Sequence, residues 1–294
     1  MNVGFIGIGQ MGKHMSRHIL SAGYSLVVHD LIKESANALL DKGAKWGKNP
    51  GEIAETCQVV ISSLPTPQDV EQVVYGENGL KSGWKDGDIY IDMSTNSPLT
   101  IRRIADDARK MGVAVLDAPV SGGTRGAELG SLTIMVGGDS STLEKVRSIL
   151  ETMGQKIFHL GNVGCGNIAK LVNNMIALTC SSITAEGFVL GVKAGINPQV
   201  LWDIITISTG NNWALQQYQQ GVLRGDFSPA YRLSLGRKDA RLALELGKDY
   251  DVPLPLGAVM EQKLIEAEAA GLGDQHVDAV ILRLEELTGI KVRA

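Results

Sequence analysis

Near its N-terminus the chain reads Val3-Gly4-Phe5-Ile6-Gly7-Ile8-Gly9-Gln10-Met11-Gly12, an apolar run followed by glycines in G-x-G-x-x-G spacing. Glycine permits unusual dihedrals and close approach of another backbone. The stretch therefore predicts a short buried strand, a tight turn and the start of a helix. The N-terminus of such a helix binds phosphate groups through its backbone N–H groups. Because glycine-rich turns also occur by chance, the neighbouring sequence decides what this one means.

A second apolar run supplies that context and points to a dinucleotide. Residues 25–30 read Ser-Leu-Val-Val-His-Asp and end at Asp30, about twenty residues after the turn, as a ribose-binding carboxylate does. A carboxylate accepts a hydrogen bond from the ribose 2′-hydroxyl and repels a 2′-phosphate, so NAD is favoured over NADP. The expected contacts are Gly7, Ile8, Gly9, Gln10, Met11, Gly12 and Asp30. The alternative is that Asp30 is an exposed acid that caps the next helix.

The periodicity of apolar residues changes once along the chain. Short β-branched runs alternate with helical patterns up to about residue 160, which is typical of a parallel sheet built from βαβ units. Helical spacing dominates beyond Gly166. The sequence predicts an α/β fold: a Rossmann-type, doubly wound, mostly parallel sheet in residues 1–162, followed by an all-α domain in residues 163–294. A long helix, about 165–194, joins the two.

Composition excludes several classes of partner. The formal charge of −4 includes no basic block that would bind nucleic acid or anionic lipid. The most apolar helical segment, residues 175–192, includes serine, threonine and glutamate, so a buried helix is favoured over a membrane span. The three cysteines, odd in number and without C-x-x-C spacing, indicate free thiols in a reducing cytoplasm. A cytoplasmic protein with a small-molecule partner is expected.

Metal and serine chemistry have little support. His14 and His18 are four residues apart on a predicted helix, but no glutamate lies beside them and no third ligand has suitable spacing. No metal site is therefore expected. No G-x-S-x-G elbow supplies a nucleophilic serine either.

Ligands of open parallel sheets bind beyond the carboxyl ends of the strands. Small or polar residues follow several predicted strands, at 64–66, 94–95 and 121–123, although ordinary turns favour the same residue types. In the long helix, Lys170 and Asn174 are four residues apart and lie on one face. A solvated lysine beside an amide is the alternative there. The apolar residues around the pair favour a helix enclosed by protein.

These motifs, taken together, resemble the β-hydroxyacid dehydrogenases, the family of 3-hydroxyisobutyrate dehydrogenases and tartronate semialdehyde reductases. The segments that carry the resemblance are the glycine turn, the run Asp117-Ala118-Pro119-Val120-Ser121-Gly122-Gly123, the Lys170–Asn174 face and the pair Lys238-Asp239. They occur in the family's order and at matching spacings over essentially the whole chain.

The resemblance implies an oxidoreductase that transfers hydride between NAD(H) and a short 3-hydroxy acid or its semialdehyde, such as 3-hydroxyisobutyrate, tartronate semialdehyde or succinic semialdehyde. It implies that Lys170 is the catalytic residue and that Asn174 helps to hold it and the substrate. The substrate carboxylate is expected at Ser121, Gly122 and Gly123, with Arg125 near its far end. Further cofactor contacts are implied at Leu64, Pro65, Thr95 and Lys238. At Asp69 the chain departs from the amide that relatives often carry.

The chemistry agrees with these roles. A lysine ammonium stabilises the oxygen that gains charge during reduction and gives it a proton, and a neutral lysine takes the hydroxyl proton during oxidation. Burial and a positive nicotinamide ring both disfavour the charged lysine. A non-catalytic dinucleotide-binding protein or an imine reductase, the alternatives, would be expected to lack Lys170. The apolar helix at 175–192 further predicts a homodimer or homotetramer formed through the helical half.

Overall fold

The computed structural model describes residues 2–294, which form two compact units. The first unit runs up to Lys170 and the second begins at Leu171. The division lies inside the long helix, whereas the sequence predicts a boundary at 162/163. The difference arises because the first turn of that helix is hydrogen-bonded to the first unit, through Asn167 and Asp117.

A parallel six-stranded sheet forms the centre of the first unit. Its strands are β1 (Asn2–Ile6), β2 (Ser25–His29), β3 (Lys45–Trp46), β4 (Val59–Ser62), β5 (Ile89–Asp92) and β6 (Ala114–Asp117). They are arranged in the order β3-β2-β1-β4-β5-β6 with every neighbouring pair parallel. This is the strand order of doubly wound dinucleotide-binding sheets, so the predicted fold class is confirmed.

Helices cover both faces of this sheet. They are α1 (Gly12–Ser21), α2 (Asn37–Leu40), α3 (Pro50–Thr56), α4 (Pro67–Tyr75), α5 (Leu80–Gly83), α6 (Pro98–Arg109), α7 (Gly123–Leu129) and α8 (Ser140–Leu150). On β1, Val3 and Phe5 pack into one apolar cluster with Met15, whereas Ile6 packs into a second cluster with Tyr90. Successive side chains of a strand point to opposite faces, so both faces of the sheet are buried.

A smaller sheet completes the first unit. Its strands are β7 (Val120–Ser121), β8 (Leu132–Val136) and β9 (Gly154–His159). The pair β7–β8 is antiparallel and the pair β8–β9 is parallel. The strands β3 and β7, two residues each, were not indicated by the sequence pattern because so short a segment shows no period. The apolar spacing predicts one helix over 33–40, whereas the structure has a 3₁₀ segment, Lys33–Ala36, followed by α2.

The second unit is helical. Its helices are the remainder of α9 (Cys165–Lys193), then α10 (Pro198–Thr206), α11 (Trp213–Tyr218), α12 (Leu233–Asp249), α13 (Pro255–Ala267) and α14 (Ile281–Thr288). Shorter turns lie between them: 3₁₀ segments at Val222–Arg224 and Val277–Val280, and a π-helical turn at Glu268–Leu272. The core of this unit contains Leu178, Phe188, Tyr218 and Met260, all nearly inaccessible.

Helix α9 combines polar and apolar contacts. Over its most apolar 18 residues the mean hydropathy is 1.6, so by length and composition alone it is capable of crossing a membrane. Two of its polar side chains are bonded within the protein, however: Asn174 donates to Asp239 and Ser181 donates to Asp278. Such bonds are typical of a helix packed by protein.

Candidate active site

The glycine turn between β1 and α1 has the shape of a phosphate site. Gly7 has a φ of 93°, and Gly12 lies so close to the Gly7 carbonyl that a larger residue would not fit. Around Gly9, by contrast, no atom lies within 4 Å of where a Cβ would be. Helix α1 begins without a side-chain cap and without an acid in its first turn. An open glycine at an uncapped helix N-terminus suits the pyrophosphate of a dinucleotide.

Asp30 lies directly after β2 and binds the glycine turn. Its Oδ2 accepts a hydrogen bond of 2.6 Å from the Ile8 N–H, and its Oδ1 accepts one of 2.9 Å from the Ile32 N–H. The following 3₁₀ segment has no side-chain cap, so Asp30 closes a local turn instead of capping a helix. Each carboxylate oxygen accepts more than one hydrogen bond, which leaves capacity for a ribose hydroxyl.

The residues expected to contact the cofactor after β4 and β5 lie on neighbouring loops. The Leu64 N–H donates to Ser94 Oγ at 2.9 Å, which joins the two loops. Pro65 is exposed and Thr95 is half-buried. Asp69 forms a capping box at the start of α4: its Oδ2 accepts from Thr66, and its own N–H donates to Thr66 Oγ1. The acid at this position therefore stabilises a helix start.

The segment expected to bind the substrate carboxylate leads from β7 into α7. Ser121 ends β7, and the next two residues, Gly122 and Gly123, both have positive φ, 129° and 62°. Both glycines are exposed, and no atom lies within 4 Å of a Cβ position at Gly123. Arg125 is exposed on the first turn of α7. The loop thus presents backbone and a guanidinium on an open surface.

Lys170 lies one turn before Asn174 on α9, as the spacing predicts. The start of this helix is held by Asp117, at the end of β6. Its Oδ1 accepts from the Gly164 N–H and its Oδ2 from the Asn167 N–H, each at 2.7 Å. Burial raises the pKa of Asp117, and these two N–H groups oppose the rise. Asp117 thereby satisfies N–H groups that a helix start leaves unpaired.

Asn174 belongs to a buried cluster in the second unit. Its Nδ2 donates to Asp239 Oδ2 at 2.7 Å, and the Tyr231 hydroxyl donates to the same oxygen at 2.6 Å. Burial, and then the charge of Asp239, raise the pKa of Tyr231 well above its usual value, so Tyr231 stays protonated. Lys238 Nζ lies 2.9 Å from Asp239 Oδ1. This pair is compact and almost fully buried.

The first unit contains the predicted cofactor contacts other than Lys238, the predicted substrate contacts, and Lys170. The second unit contains Asn174 and Lys238. Sequence reasoning assigned no role to Asp117, Asn167 or Asp239. Asp117 and Asp239 both lie inside the motifs that carry the resemblance. The available signals were an acid at the end of a predicted strand for Asp117 and an acid directly after a lysine for Asp239. Within residues 2–294, no three histidine, cysteine or acidic side chains converge as metal ligands.

Comparison with known proteins covers both units. Residues 2–161 match the family described as the NAD binding domain of 6-phosphogluconate dehydrogenase. Residues 164–284 match the family described as the NAD-binding domain of NADP-dependent 3-hydroxyisobutyrate dehydrogenase. The two matches meet close to the start of α9 and together span most of the chain.

Individual relatives are similar over nearly their whole length. The chain is 38% identical to 2-(hydroxymethyl)glutarate dehydrogenase of Eubacterium barkeri, over 99% of this chain and 97% of that one. It is 32% identical to 3-sulfolactaldehyde reductase of Escherichia coli, over 99% and 98%. The structure of Mycobacterium tuberculosis 3-hydroxyisobutyrate dehydrogenase with L-serine superposes with a TM-score of 0.88 at 33% identity, covering 96% of this chain and 98% of that one. By motifs, strand order and these similarities, the chain belongs to the β-hydroxyacid dehydrogenase family of NAD(P)-dependent oxidoreductases.

Proposed function

We propose that this enzyme interconverts a short 3-hydroxy acid and its semialdehyde, with Lys170 as general acid and base. The observation that carries the proposal is the fixed Asn174 amide one helical turn from Lys170. A carboxylate only accepts hydrogen bonds, so Asn174 must direct its NH₂ group to Asp239. Its Oδ1 accepts from the Asn173 side chain at 3.0 Å and retains a second lone pair. That lone pair suits a further proton donor, either the Lys170 ammonium or the substrate hydroxyl.

Each proposed step is assigned to a particular chemical group. When bound, the nicotinamide dinucleotide supplies or accepts the hydride. Lys170 Nζ gives a proton to the carbonyl oxygen during reduction and takes the hydroxyl proton during oxidation. Backbone N–H groups at Gly122 and Gly123, with the Ser121 hydroxyl, hold the carboxylate. In this proposal, the contacts with the carboxylate fix the position of the carbon that reacts.

Asp30 supports a preference for NAD over NADP. Its carboxylate lies at the end of β2 within 2.6 Å of the glycine turn, where the adenosine ribose binds in doubly wound sheets. A 2′-phosphate there would meet a negative charge, and the residues directly after Asp30, Leu31 and Ile32, offer it no cation. Leu31 and Ile32 are largely exposed and provide an apolar surface for a purine ring.

Arg125 supports a substrate with a second anionic group. It is exposed on the helix that follows the carboxylate loop, and arginine binds carboxylate and sulfonate groups in a bidentate manner. One relative is named for a compound of this kind, 2-(hydroxymethyl)glutarate, which carries two carboxylates. Another is named for 3-sulfolactaldehyde, in which a sulfonate is the single anionic group. We place 2-(hydroxymethyl)glutarate and 3-sulfolactaldehyde beside 3-hydroxyisobutyrate as the substrate class.

A substrate panel tests this proposal. Initial rates with NAD and with NADP would be compared for 3-hydroxyisobutyrate, 2-(hydroxymethyl)glutarate, L-serine and the 2-hydroxy acid lactate. The proposal expects turnover of at least one of the first three and little of lactate. The variant Arg125→Met should raise the KM of the dicarboxylate by about tenfold or more, the value of one charge-assisted hydrogen bond, whereas the kinetics with the monocarboxylate 3-hydroxyisobutyrate should change much less. Equal activity on lactate would contradict the substrate class.

We also propose that the helical unit binds a second copy of the chain, in a homodimer or homotetramer, and that the enzyme works in the cytoplasm. On α9, Ile176, Ile183 and Leu190 recur at spacings of seven and are more than half exposed. An exposed apolar stripe of this kind is typical of a surface that binds another apolar surface. The three cysteines are free thiols, as is usual in a reducing compartment.

A further inference from the structure

Four polar side chains are completely buried where β5 and β6 end and α9 begins. They are Asp92, Asn96, Asp117 and Asn167, each with no accessible surface. We refer to these four residues as the buried polar network. Burying such groups disfavours folding unless they are hydrogen-bonded, so their arrangement is constrained.

The network is a continuous chain of short hydrogen bonds. Asn96 Nδ2 donates to Asp92 Oδ2 at 2.8 Å. The Asn96 N–H donates to Asn167 Oδ1 at 2.7 Å, and the Asn167 N–H donates to Asp117 Oδ2 at 2.7 Å. Asn167 thus stands in the middle, since its side chain accepts from one loop while its backbone donates to another. The Asn167 side chain also donates to Asp117, from Nδ2 to Oδ2 at 3.4 Å.

Three residues of the network lie close in sequence to segments of the proposed site. Asn96 directly follows Thr95, a proposed cofactor contact, and Asp117 begins the segment that ends in Ser121 and the glycines of the carboxylate loop. Asn167 precedes Lys170 by three residues, less than one helical turn. The network therefore links the loops for cofactor and substrate to the helix that carries the proposed acid and base. All of these residues lie in the first unit.

We propose that Asn167 is a positioning residue, which fixes the first turn of α9 against the Thr95 loop and so sets the place of Lys170 Nζ. The inference rests on the proposed function of Lys170. Proton transfer needs donor and acceptor within hydrogen-bond reach, and a displacement of about 1 Å costs up to a hundredfold in rate. Binding of cofactor and carboxylate relies on other groups, so the loss falls on kcat.

The first experiment is Asn167→Ala. It removes the only acceptor described for the Asn96 N–H and the 3.4 Å bond from Asn167 Nδ2 to Asp117, and it leaves the backbone bond from Asn167 to Asp117 in place. The expected result is a kcat lowered by about ten- to a hundredfold. The KM of the hydroxy acid and the NADH dissociation constant should change by less than about threefold, because ground-state binding is intact. NADH binding is measured by fluorescence titration.

The matched control is Asn49→Ala. Asn49 Oδ1 also accepts a backbone N–H, that of Glu52 at 2.9 Å, where it caps α3 in the same unit. This variant should lower the thermal midpoint and keep the parent kcat. If Asn167→Ala behaves in the same way, with a lower midpoint and an unchanged kcat, Asn167 is only a structural residue and the proposal is overturned. Asn167→Ser, whose hydroxyl is an acceptor, serves if the alanine variant does not fold, and it should retain more of kcat than alanine would.

A double-mutant cycle separates this inference from the proposal for Lys170. In a Lys170→Ala background, Asn167→Ala should leave the residual rate unchanged within about twofold, because Asn167 acts through Lys170. Multiplicative losses would show that Asn167 acts by another route and would overturn the inference alone. If Lys170→Ala itself turns over at the parent rate, the proposed function fails, whatever Asn167 does.

Discussion

At the residue scale, Asp30 is the side chain with the clearest consequence for cofactor choice. It binds the glycine turn and the chain after β2 by its two oxygens, so its replacement will loosen the turn for either cofactor. The ratio of kcat/KM with NAD to kcat/KM with NADP cancels this shared effect. The ratio therefore isolates the proposed contact with the ribose.

We expect Asp30→Ser to lower the ratio of kcat/KM for NAD over NADP by about ten- to a hundredfold. This is the value of a hydrogen bond to a charged group, with each factor of ten being about 1.4 kcal/mol. Initial rates with both cofactors measure it. Asp41→Ser, at the exposed C-terminal end of α2, is the control and should leave the ratio unchanged. A ratio unaltered in the Asp30 variant would remove Asp30 from the ribose site.

Asp92 gives a prediction with a defined sign. Burial raises the pKa of Asp92 above its usual range, against opposing hydrogen bonds from Ser94 and Asn96. The folded chain therefore holds a proton at a pH where the unfolded chain has lost it. The contribution of this group to the free energy of unfolding is full below about pH 4 and is lost as the pH rises through the raised pKa.

The variant Asp92→Asn removes this titration. The quantity to follow is the urea midpoint of the parent minus the urea midpoint of the variant. For Asp92→Asn, we expect this difference to fall as the pH rises from about 4 to about 7. Asp139 provides the opposite case. Hydrogen bonds from Ser141 and Thr142 lower its pKa, so the corresponding difference for Asp139→Asn should fall as the pH drops below about 4. Parallel pH curves for the two variants would refute the account of Asp92.

Sequence reasoning was most effective at single residues whose type limits their chemistry. Lys170 and Asn174 could be placed on one face because the helical period is fixed. The turn was recognisable because Gly7 has a positive φ and Gly12 leaves no room for a side chain. The hydrogen-bond partners of the Asn174 side chain could not be predicted from the sequence. Tyr231 and Asp239 come from α12 and the loop before it, and only tertiary packing brings them to α9.

At the element scale, the helix that follows the glycine turn is joined to the helix that follows the proposed carboxylate loop, residues 121–123. Arg17 Nη2, on α1, donates to the Glu128 carbonyl at 2.8 Å. His18 Nε2 lies 3.1 Å from the Ala127 carbonyl, also near the end of α7. The last carbonyls of a helix lack partners within it, and a cation there is favourable. Helix α1 therefore holds α7, and with it the loop that begins α7.

We expect Arg17→Met to raise the KM of the hydroxy acid by about threefold to tenfold, through a less well ordered carboxylate loop, one hydrogen bond being worth about 1 kcal/mol. The NADH dissociation constant should stay within about twofold of the parent value, because the glycine turn is unaltered. Arg109→Met, which removes an exposed arginine paired with Asp106, is the control. An unchanged KM would mean that the loop is ordered without α1.

Elements with a clear apolar run or a sustained apolar period were predicted closely, as β1, β2 and α9 were. The sequence predicts a helix at about 165–194, and α9 spans Cys165–Lys193, since a sustained apolar period determines its extent. The apolar spacing also suggests single helices at 212–222 and 255–271. The first divides into α11 and a 3₁₀ turn, and the second ends as an α-helix at Ala267. Gly271 has a φ of 84°, which no regular helix contains. Such breaks depend on tertiary contacts.

At the scale of the whole molecule, the change of pattern near residue 166 correctly indicated an α/β part followed by a helical part. The sheet order follows from general rules for βαβ units, so it was predictable in kind. The sequence did not predict which apolar residues of the helices remain exposed in the folded chain. Periodicity marks which residues share a helix face, but it does not show which face the chain itself covers.

The exposed stripe on α9 leads to a prediction about assembly. We expect the parent to be a dimer or tetramer at micromolar concentration by light scattering, and Ile183→Glu to shift it to smaller species, because a charge in an apolar interface is strongly unfavourable. Leu99→Glu, at an exposed leucine of α6, is the control. A monomeric parent would contradict the proposed assembly.

The most direct test of the central claim is the rate of Lys170→Ala with the best substrate of the panel. General acid and base catalysis contributes roughly a hundredfold to ten-thousandfold, so kcat should fall by about that factor while NADH still binds with a dissociation constant within about threefold of the parent. Lys193→Ala, at the other end of α9, should keep the parent rate. If Lys170→Ala turns over as fast as the parent, Lys170 is not the acid and base of this enzyme.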